Sequence, residues 1–401
     1  MKNAFLVPLV LLSFMVCAPV RAQSCDTAFE AIITLHPPRL GVPTVWDAMY
    51  GKKDAMTQLV SGVAEPEGTV MALGRTLAKD TYIPQDIVLA EINRRGRVLN
   101  EKTWPVKNGE SPVKLISLKD GYLAVGNITG DKGRRRVRLS WYGSDGGYRH
   151  EKILQDDTYD YDAIGLLAAA DEAGFVAVIH AVSHGQESDH NGVLIRFAPD
   201  GREVWKRAYR PGIPNEIDGV MTLDDGGYLA SGQIRLDDGR MAGWVMKLGS
   251  DGTVLWQRTY PRGRSSMLSR AAQVPSVAGQ AGRGFLVMGN TTPLDNGPDA
   301  TWLMAIDPLG EPVWQRYFRQ PDFSLSGFGL MRNADGRIVV AMNATAAPGT
   351  GRRDHVRMLI LSPRGVIVED ESYIEGVRAQ GYDFVRGVNG ERVVTATVIS
   401  D

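Results

Sequence analysis

The sequence predicts an all-β chain folded as a single seven-bladed β-propeller, with four antiparallel strands in each blade. Three observations predict it. Two independent glycine markers each recur seven times, at a period of about 54 residues. Each period holds two pairs of apolar runs, and each pair flanks a turn, often of Asp-Gly type. Asp-Gly between β-rich runs signals a hairpin, because Gly accepts the positive φ that such turns require. Sustained 3.6-residue periodicity is absent, so helices should be few.

The chain opens with "MKNAFLVPLVLLSFMVCAPVRA", residues 1–22. A basic start, a short apolar middle and a small residue at Ala22 read as a secretory signal. Cleavage after Ala22 would leave residues 23–401 as the propeller and place it in the periplasm or outside the cell. The apolar run is short for a bilayer span, and Pro8 and Pro19 interrupt it. No later stretch is apolar enough to cross a membrane. "AQSC" at 22–25 loosely resembles a lipoprotein box, but Ala22 stands where Leu is usual, so a lipid anchor at Cys25 is the lesser expectation. Losing Lys2 and Arg21 leaves 43 basic against 46 acidic residues, a net charge of −3. That balance offers no bulk attraction to nucleic acid or to an anionic membrane. Cys17 goes with the signal, so Cys25 has no partner for an internal disulfide.

The first marker precedes a segment that often contains Trp: Gly41, Gly96, Gly146, Gly201, Gly252, Gly310 and Gly365. The second precedes an apolar run such as "DGGYLASG": Gly68, Gly121, Gly174, Gly227, Gly284, Gly336 and Gly390. Two hairpins per period make four strands. Units that cannot bury their apolar faces alone are covered by stacking around an axis, which leaves only short edges exposed. A β-solenoid is the lesser alternative, since its coils are usually much shorter.

The marker order says how the ring closes. The chain begins with an outer-hairpin marker and ends with an inner-hairpin one. "AIITLHPPRLGVPTVWDAMYG" should supply the outer two strands of the seventh blade, and "DFVRGVNGERVVTATVISD" the inner two.

Within the outer hairpins, "DGTVLWQRTY" (251–260) echoes "DGREVWKRAY" (200–209) and "LGEPVWQRYF" (309–318). Trp256 recurs as Trp46, Trp205 and Trp314, and Tyr260 as Tyr50 and Tyr209, with Phe318 equivalent. Aromatic side chains at a fixed blade position are expected to pack between neighbouring blades rather than to line a ligand ring.

The grammar K-L-x-x-D-G-x-x-x-W-x-x-x-Y, joined to D-G-G-Y-x-x-x-G, resembles the repeat of secreted bacterial β-propellers described as WD40-like or quinoprotein-like. The resemblance covers essentially all of the mature chain. It implies architecture and not activity, because that ring hosts scaffolds, lyases, hydrolases and dehydrogenases. Quinoprotein dehydrogenases usually have eight blades and an adjacent Cys pair, which this chain lacks, so a bound quinone is not expected. Trp46-Asp47 is the one Trp-Asp dipeptide, so the WD40 signature itself is absent.

By blade register, the connectors between blades and the loops between middle strands should share one face. "QDDTYDYDAI" puts Asp156, Asp157, Tyr159, Asp160, Tyr161 and Asp162 there, joined by Glu216, Asp218, Arg262 and Arg264 as binding-face candidates. Alternating carboxylates could take calcium, although the Gly and distal Glu of an EF-hand loop are missing. "HAVSHGQESDH" gathers His180, His184, Glu187, Asp189 and His190, donors that suit zinc, in a spacing that matches no standard zinc motif. No cofactor is expected outright, with calcium or zinc as the alternative. The sequence shows no G-x-S-x-G, H-E-x-x-H, phosphate-loop or dinucleotide fingerprint.

The leading expectation is a non-catalytic binding scaffold that recognises a protein, peptide or envelope glycan. A metal-dependent propeller hydrolase or lyase, and a lipoprotein subunit of an envelope complex, are the alternatives. The closure generates a test. Deleting the last fifteen residues, 387–401, should unfold the whole domain rather than fray one end. An unchanged melting temperature in the truncated protein would refute closure by the C-terminal strands.

Overall fold

The computed structural model describes residues 15–17, 29–35, 39–40, 55–78, 83–106, 109–168, 174–185, 190–210, 212–275, 284–295, 297–376, 378–387 and 392–399. Apart from a 3₁₀ turn at Asp131–Gly133, their regular structure is all strand. β4 (Ala55–Ala64), β5 (Val70–Ala78), β6 (Pro84–Ile92) and β7 (Val98–Pro105) form the first antiparallel unit. β8 (Ser111–Leu118), β9 (Gly121–Thr129), β10 (Arg135–Tyr142) and β11 (Tyr148–Leu154) form the second. The third is β12 (Tyr159–Ala168), β13 (Phe175–Ser183), β14 (His190–Phe197) and β15 (Glu203–Ala208). The fourth is β16 (Asn215–Thr222), β17 (Tyr228–Arg235), β18 (Met241–Leu248) and β19 (Val254–Tyr260). The fifth is β20 (Ser265–Val274), β21 (Gly284–Thr292), β22 (Ala300–Ile306) and β23 (Pro312–Arg319). The sixth is β24 (Phe323–Arg332), β25 (Ile338–Ala346), β26 (Asp354–Leu361) and β27 (Ile367–Gly376). β28 (Arg378–Arg386) and β29 (Arg392–Ile399) pair as a final hairpin.

Burial follows the order of strands within a unit. Middle strands lie between neighbouring sheets and are apolar on both faces; every residue of β22 is buried. Outer strands alternate, as β15 does with exposed Glu203, Val204, Lys206 and Ala208 around half-buried Trp205 and Arg207. The core divides into clusters that each join two consecutive sheets. Tyr161, Phe175 and Ile179 of the third unit meet Leu123, Val137 and Leu139 of the second. Trp302, Met304 and Tyr317 of the fifth meet Leu223, Leu229 and Val245 of the fourth. Face-to-face sheets in sequence, with the last hairpin against the first sheet, make an all-β propeller. Gln58 Nε2 donates to the Tyr382 hydroxyl at 2.5 Å, and Ser61 Oγ to Asp383 Oδ2 at 2.8 Å, across that closing boundary.

The hairpin turns are alike. In "PDGR" the Gly201 amide donates to Ala198 O and the Ala198 amide to Arg202 O, and the same two bonds recur around Gly252, Gly310, Gly336 and Gly365. Gly201, Gly252 and Gly310 hold φ of 81°, 77° and 86°, a left-handed conformation that disfavours other residues. Asp200, Asp251 and Asp335 each cap their turn through Oδ1. In "DDGG" the positive φ falls on Gly226, one residue before the Gly227 marker.

The recurrent Trp and Tyr grip the next unit. Trp205 Nε1 donates to Ser250 O at 3.2 Å, and Tyr209 OH to Gly252 O at 3.0 Å. One unit on, Trp256 Nε1 donates to Pro308 O at 3.0 Å, and Tyr260 OH to Gly310 O at 2.7 Å. The indoles lie against the turn glycines themselves: a Cβ on Gly252 would sit 3.0 Å from Trp205, and one on Gly310 2.9 Å from Trp256.

Two further registers repeat at the inner strands. Each inner strand, β4, β8, β12, β16, β20, β24 and β28, carries a bulge against its partner. The residues skipped are Val60, Val113, Ile164, Asp218, Ser269, Phe328 and Tyr382. On second strands, Asn127, Asn290 and Asn343 occupy one register, and each bonds the backbone of the next inner strand at Ala163, Gly327 or Gly381. Their "NIT", "NTT" and "NAT" tripeptides thus record a clamp between units.

The N-terminal strands depart from expectation. β2 (Glu30–Thr34) lies parallel to the outer edge of β23, and β3 (Arg39–Leu40) parallel to β27. These residues were expected in the seventh blade's outer hairpin; they edge the fifth and sixth units instead. An outer strand offers unpaired N–H and C=O groups that a passing segment can satisfy. Leu35 is buried beside Trp314 and Phe318, and Glu30 pairs with Arg262. Residues 36–38 and 41–51, the rest of that expected hairpin, lie outside the described residues, as do most of 1–22. β1 (Met15–Cys17) runs parallel to β2, within the segment expected to be cleaved.

The Trp–Gly contact generates a paired test. Gly310→Ala puts a methyl against Trp256 at φ 86°, whereas Gly239, at φ 84°, has nothing within 4 Å of an added Cβ. Gly310→Ala should lose about 1–3 kcal/mol more than Gly239→Ala in denaturant unfolding, because only the first adds overpacking to backbone strain. Equal losses would mean that the indole yields without cost.

Candidate functional site

Connectors and middle loops do share one face. The Arg134 guanidinium, after β9, reaches the Asp156, Asp157 and Tyr159 carbonyls and Asp160, before and at the start of β12. His184 N donates to Thr158 O, Arg235 N to Pro214 O, and Ala347 N to Asp322 O. The predicted acidic stretch is therefore a held surface. Asp160 accepts from Arg134 Nε at 2.6 Å and lies 3.0 Å from His184 Nδ1. Burial pushes its carboxyl up, but His184 and Arg134 outweigh burial and hold it below the usual range. Asp156 accepts from the Thr158 and Tyr159 amides, the Tyr161 hydroxyl and Lys206. Asp162 pairs with Arg135 at 2.8 Å; burial raises its carboxyl against that pull. Asp156, Asp160 and Asp162 thus each have their own side-chain cation. Asp157 is exposed and Tyr159 half-buried at the same surface.

Arg262 pairs with Glu30 and stacks over Tyr317, with its guanidinium carbon 4.3 Å from the ring centroid. It anchors β2 and is not free for a ligand. Arg264 is exposed, and its amide donates to Thr292 O.

The predicted metal loop divides. His184, half exposed, goes to Asp160, while Glu187 and Asp189 lie outside the described residues. His180 and His190 turn instead to two residues placed earlier among the face candidates. His190 Nε2 lies 3.2 Å from Glu216 Oε1, and His180 Nε2 lies 3.8 Å from Asp218 Oδ1. His180, Glu216 and Asp218 each bring one ligand atom to within 4.8 Å of the others. Gln233 Nε2 donates to Glu216 Oε2.

Local structure explains the meeting. His180 stands in the second-strand register filled by Asn127, Asn290 and Asn343, and it makes the equivalent contact, Nε2 to Ile217 O at 3.2 Å. Asp218 is the skipped residue of the β16 bulge. Burial pushes its carboxyl up to about 7, Glu216 adds to the rise, and Arg270 opposes it. Its Oδ2 is buried and has no hydrogen-bond partner. Burial also lowers the His180 imidazole, against the pull of Glu216.

Charges that the sequence reading missed continue around the axis, one residue past three of the bulges. Lys114 and Asp383 pair at 2.6 Å, and Asp383 also accepts from Ser61 and the Gly62 amide. Arg270, in the same register, donates to Phe328 O and Ser269 O and feels both Asp383 and Asp218. Superposing the seven periods of sequence would have put Lys114, Arg270 and Asp383 in one column.

No family model matches the chain, and no curated protein matches it. Among solved structures it is similar to an α-L-arabinanase of Penicillium chrysogenum, at 12% identity and TM-score 0.48, over 78% of this chain and 94% of that one. It is also similar to an α-L-arabinofuranosidase of Fusarium graminearum, at 8% and 0.48, over 83% and 99%. A periplasmic gluconolactonase of Pseudomonas aeruginosa is a third, at 13% and 0.47, over 84% and 88%.

The Asp383 cluster closes the ring and sets a pH dependence. Burial pushes its carboxyl up, but Lys114, Ser61 and the Gly62 amide together hold it below the ordinary 3.8. A lowered folded pKa contributes stability that is present above the unfolded value and lost as pH falls through the folded one. Asp383→Asn should destabilise the domain by about 2–3 kcal/mol at pH 7, a value reduced for the partial exposure of Lys114. Below the ordinary carboxylate value the two proteins should converge. A constant gap in urea midpoints from pH 7 to pH 3 would show that the ion pair is not the cause.

Proposed function

We propose that the chain is an exported, non-catalytic binding scaffold built as a seven-bladed propeller, acting in the periplasm or outside the cell. Seven bulged inner strands support the blade count, with β28 and β29 as the inner half of the last blade. Its recognition surface is the face of connectors and middle loops, and its partner an envelope protein, peptide or glycan.

One observation carries this reading. Arg134 joins the β11–β12 connector to the middle loop of the second unit through four acceptors, while Asp160 adds His184 from the third. A surface locked in this way has already lost the conformational freedom that binding would otherwise remove. It presents exposed Asp157, Thr158 and His184 around half-buried Tyr159. Tyr159 packs its ring partly against the core between the two units, so it is held in place, and a fixed Tyr beside exposed polar groups suits a sugar ring or a polar peptide, since Tyr offers large contact area at low entropic cost.

The test is capture from the native envelope fraction with tagged mature protein after mild cross-linking. An Asp157→Ala, Tyr159→Ala double variant should lose a partner that wild type recovers in near-equal amount. Arg202→Ala, an exposed change in a hairpin turn on the opposite face, should keep it. Recovery of the propeller alone, or capture indifferent to the double variant, would reject the scaffold reading.

A further inference from the structure

We propose that His180, Glu216 and Asp218 form a binding site for a divalent cation of the zinc class, opening on the axial side of the fourth unit. The site stands apart from the scaffold reading, because none of the three contributes to the Arg134 surface.

The internal repeat is the first ground. At the bulge the other inner strands carry Val60, Val113, Ile164, Ser269, Phe328 and Tyr382; a carboxylate appears only as Asp218. The bulge therefore needs no carboxylate. His180 likewise replaces the Asn of three other units, and an Asn would serve the clamp to Ile217. Two departures from the repeat, on different strands of different units, meet at one point.

The second ground is the unanswered Asp218 oxygen. Its side chain is 12% exposed, Oδ2 is buried without a partner, and Glu216 brings a second carboxylate beside it. Burying a carboxylate oxygen with no donor is costly, and a cation removes the cost. Arg270 is the nearby cation, and its Nε and Nη1 donate to the Phe328 and Ser269 carbonyls.

The third ground is donor chemistry. One imidazole and two carboxylates suit zinc or a neighbouring transition ion, whereas calcium asks for six or more oxygens. Tetrahedral zinc at about 2.1 Å sets its ligand atoms about 3.4 Å apart. His180 Nε2 and Asp218 Oδ1 already stand at 3.8 Å, and the whole set lies within 4.8 Å. Small side-chain rotations close the difference. With the cation on Nε2 the neutral His180 ring carries its proton on Nδ1, and the bond from Nε2 to Ile217 O is given up. Gln233 donates to Glu216 Oε2 from outside, the outer-shell support that orients a ligand carboxylate, and His190 Nε2 lies 3.2 Å from Oε1. Three protein ligands leave the fourth position to water or to a bound molecule.

The experiment uses the full mature chain, stripped with chelator and titrated with zinc chloride by calorimetry, with melting temperature as a second readout. One zinc per chain should bind, saturably, and raise the melting temperature. Asp218→Asn, nearly isosteric, should stay folded by circular dichroism, lose affinity at least about a hundredfold, and no longer be stabilised by zinc. His180→Asn, which installs the clamp residue of three other units, should behave likewise. His184→Ala, outside the cluster, should bind as wild type. Absence of saturable uptake, uptake that survives in the Asp218→Asn, His180→Asn double variant, or a site filled by calcium in preference to zinc would each overturn the proposal.

Discussion

The contact on which the ring depends is the outer-strand aromatic of one unit closing over the turn glycine of the next. Tyr209 on Gly252 and Tyr260 on Gly310 are buried hydroxyl-to-carbonyl bonds, each beside an indole that leaves no room for a side chain on the glycine. The interaction fixes spacing as well as energy. A turn must arrive one unit later at the point where the preceding Trp and Tyr wait, so length changes are confined to segments between these points. Both recurring letters of the motif, Gly and Trp, belong to one contact across a boundary and not to one hairpin.

Elsewhere the same contact is made by other side chains. Gly201 is covered by Trp141, from the third strand of its neighbour, and Lys152 supplies the donor to its carbonyl at 2.7 Å. Gly365 lies against Trp314 and Arg316, and the Arg316 guanidinium reaches the Arg364 carbonyl at 2.7 Å. Gly146 faces Leu89 and Lys102, and the lysine ends on Asp145. What the ring requires is a flat or long side chain over a turn and one donor to the turn, to its backbone or to its Asp. Several residue types meet that need, which is why the motif blurs while the period holds.

This division explains what could be read in advance. Period, hairpins and blade-to-blade packing depend on Gly, Trp and Tyr, which have few substitutes at such contacts, so they leave letters behind. The bulges leave none: Val60, Ile164, Phe328 and Tyr382 share no chemistry, and only the backbone pairing reveals their common role. The rim strands were missed for a related reason. A parallel edge pairing such as Glu30–Thr34 on Gln315–Arg319 has no turn to mark it and follows from a free edge elsewhere in the chain. Of the candidate site, the His-rich stretch and Glu216 and Asp218 were both visible, but as separate groups. Their meeting needed the stagger between β13 of one unit and β16 of the next, and that stagger is set by the His180–Ile217 clamp.

A repeat protein also carries its own control. Residues that the units share answer to the demands of the ring, and each unit shows what the ring tolerates at a given point. Apolar Val113, Ile164 and Phe328 show that a bulge facing the axis is content without charge. By that standard the Lys114–Asp383 pair is a departure that repays itself, since each charge has the other and Asp383 gains two more donors. Asp218 is a departure that does not, because burial raises it toward neutrality and one oxygen stays unmatched. A residue that weakens its own fold, at a point where six sister positions show the fold does not need it, is there for something that binds.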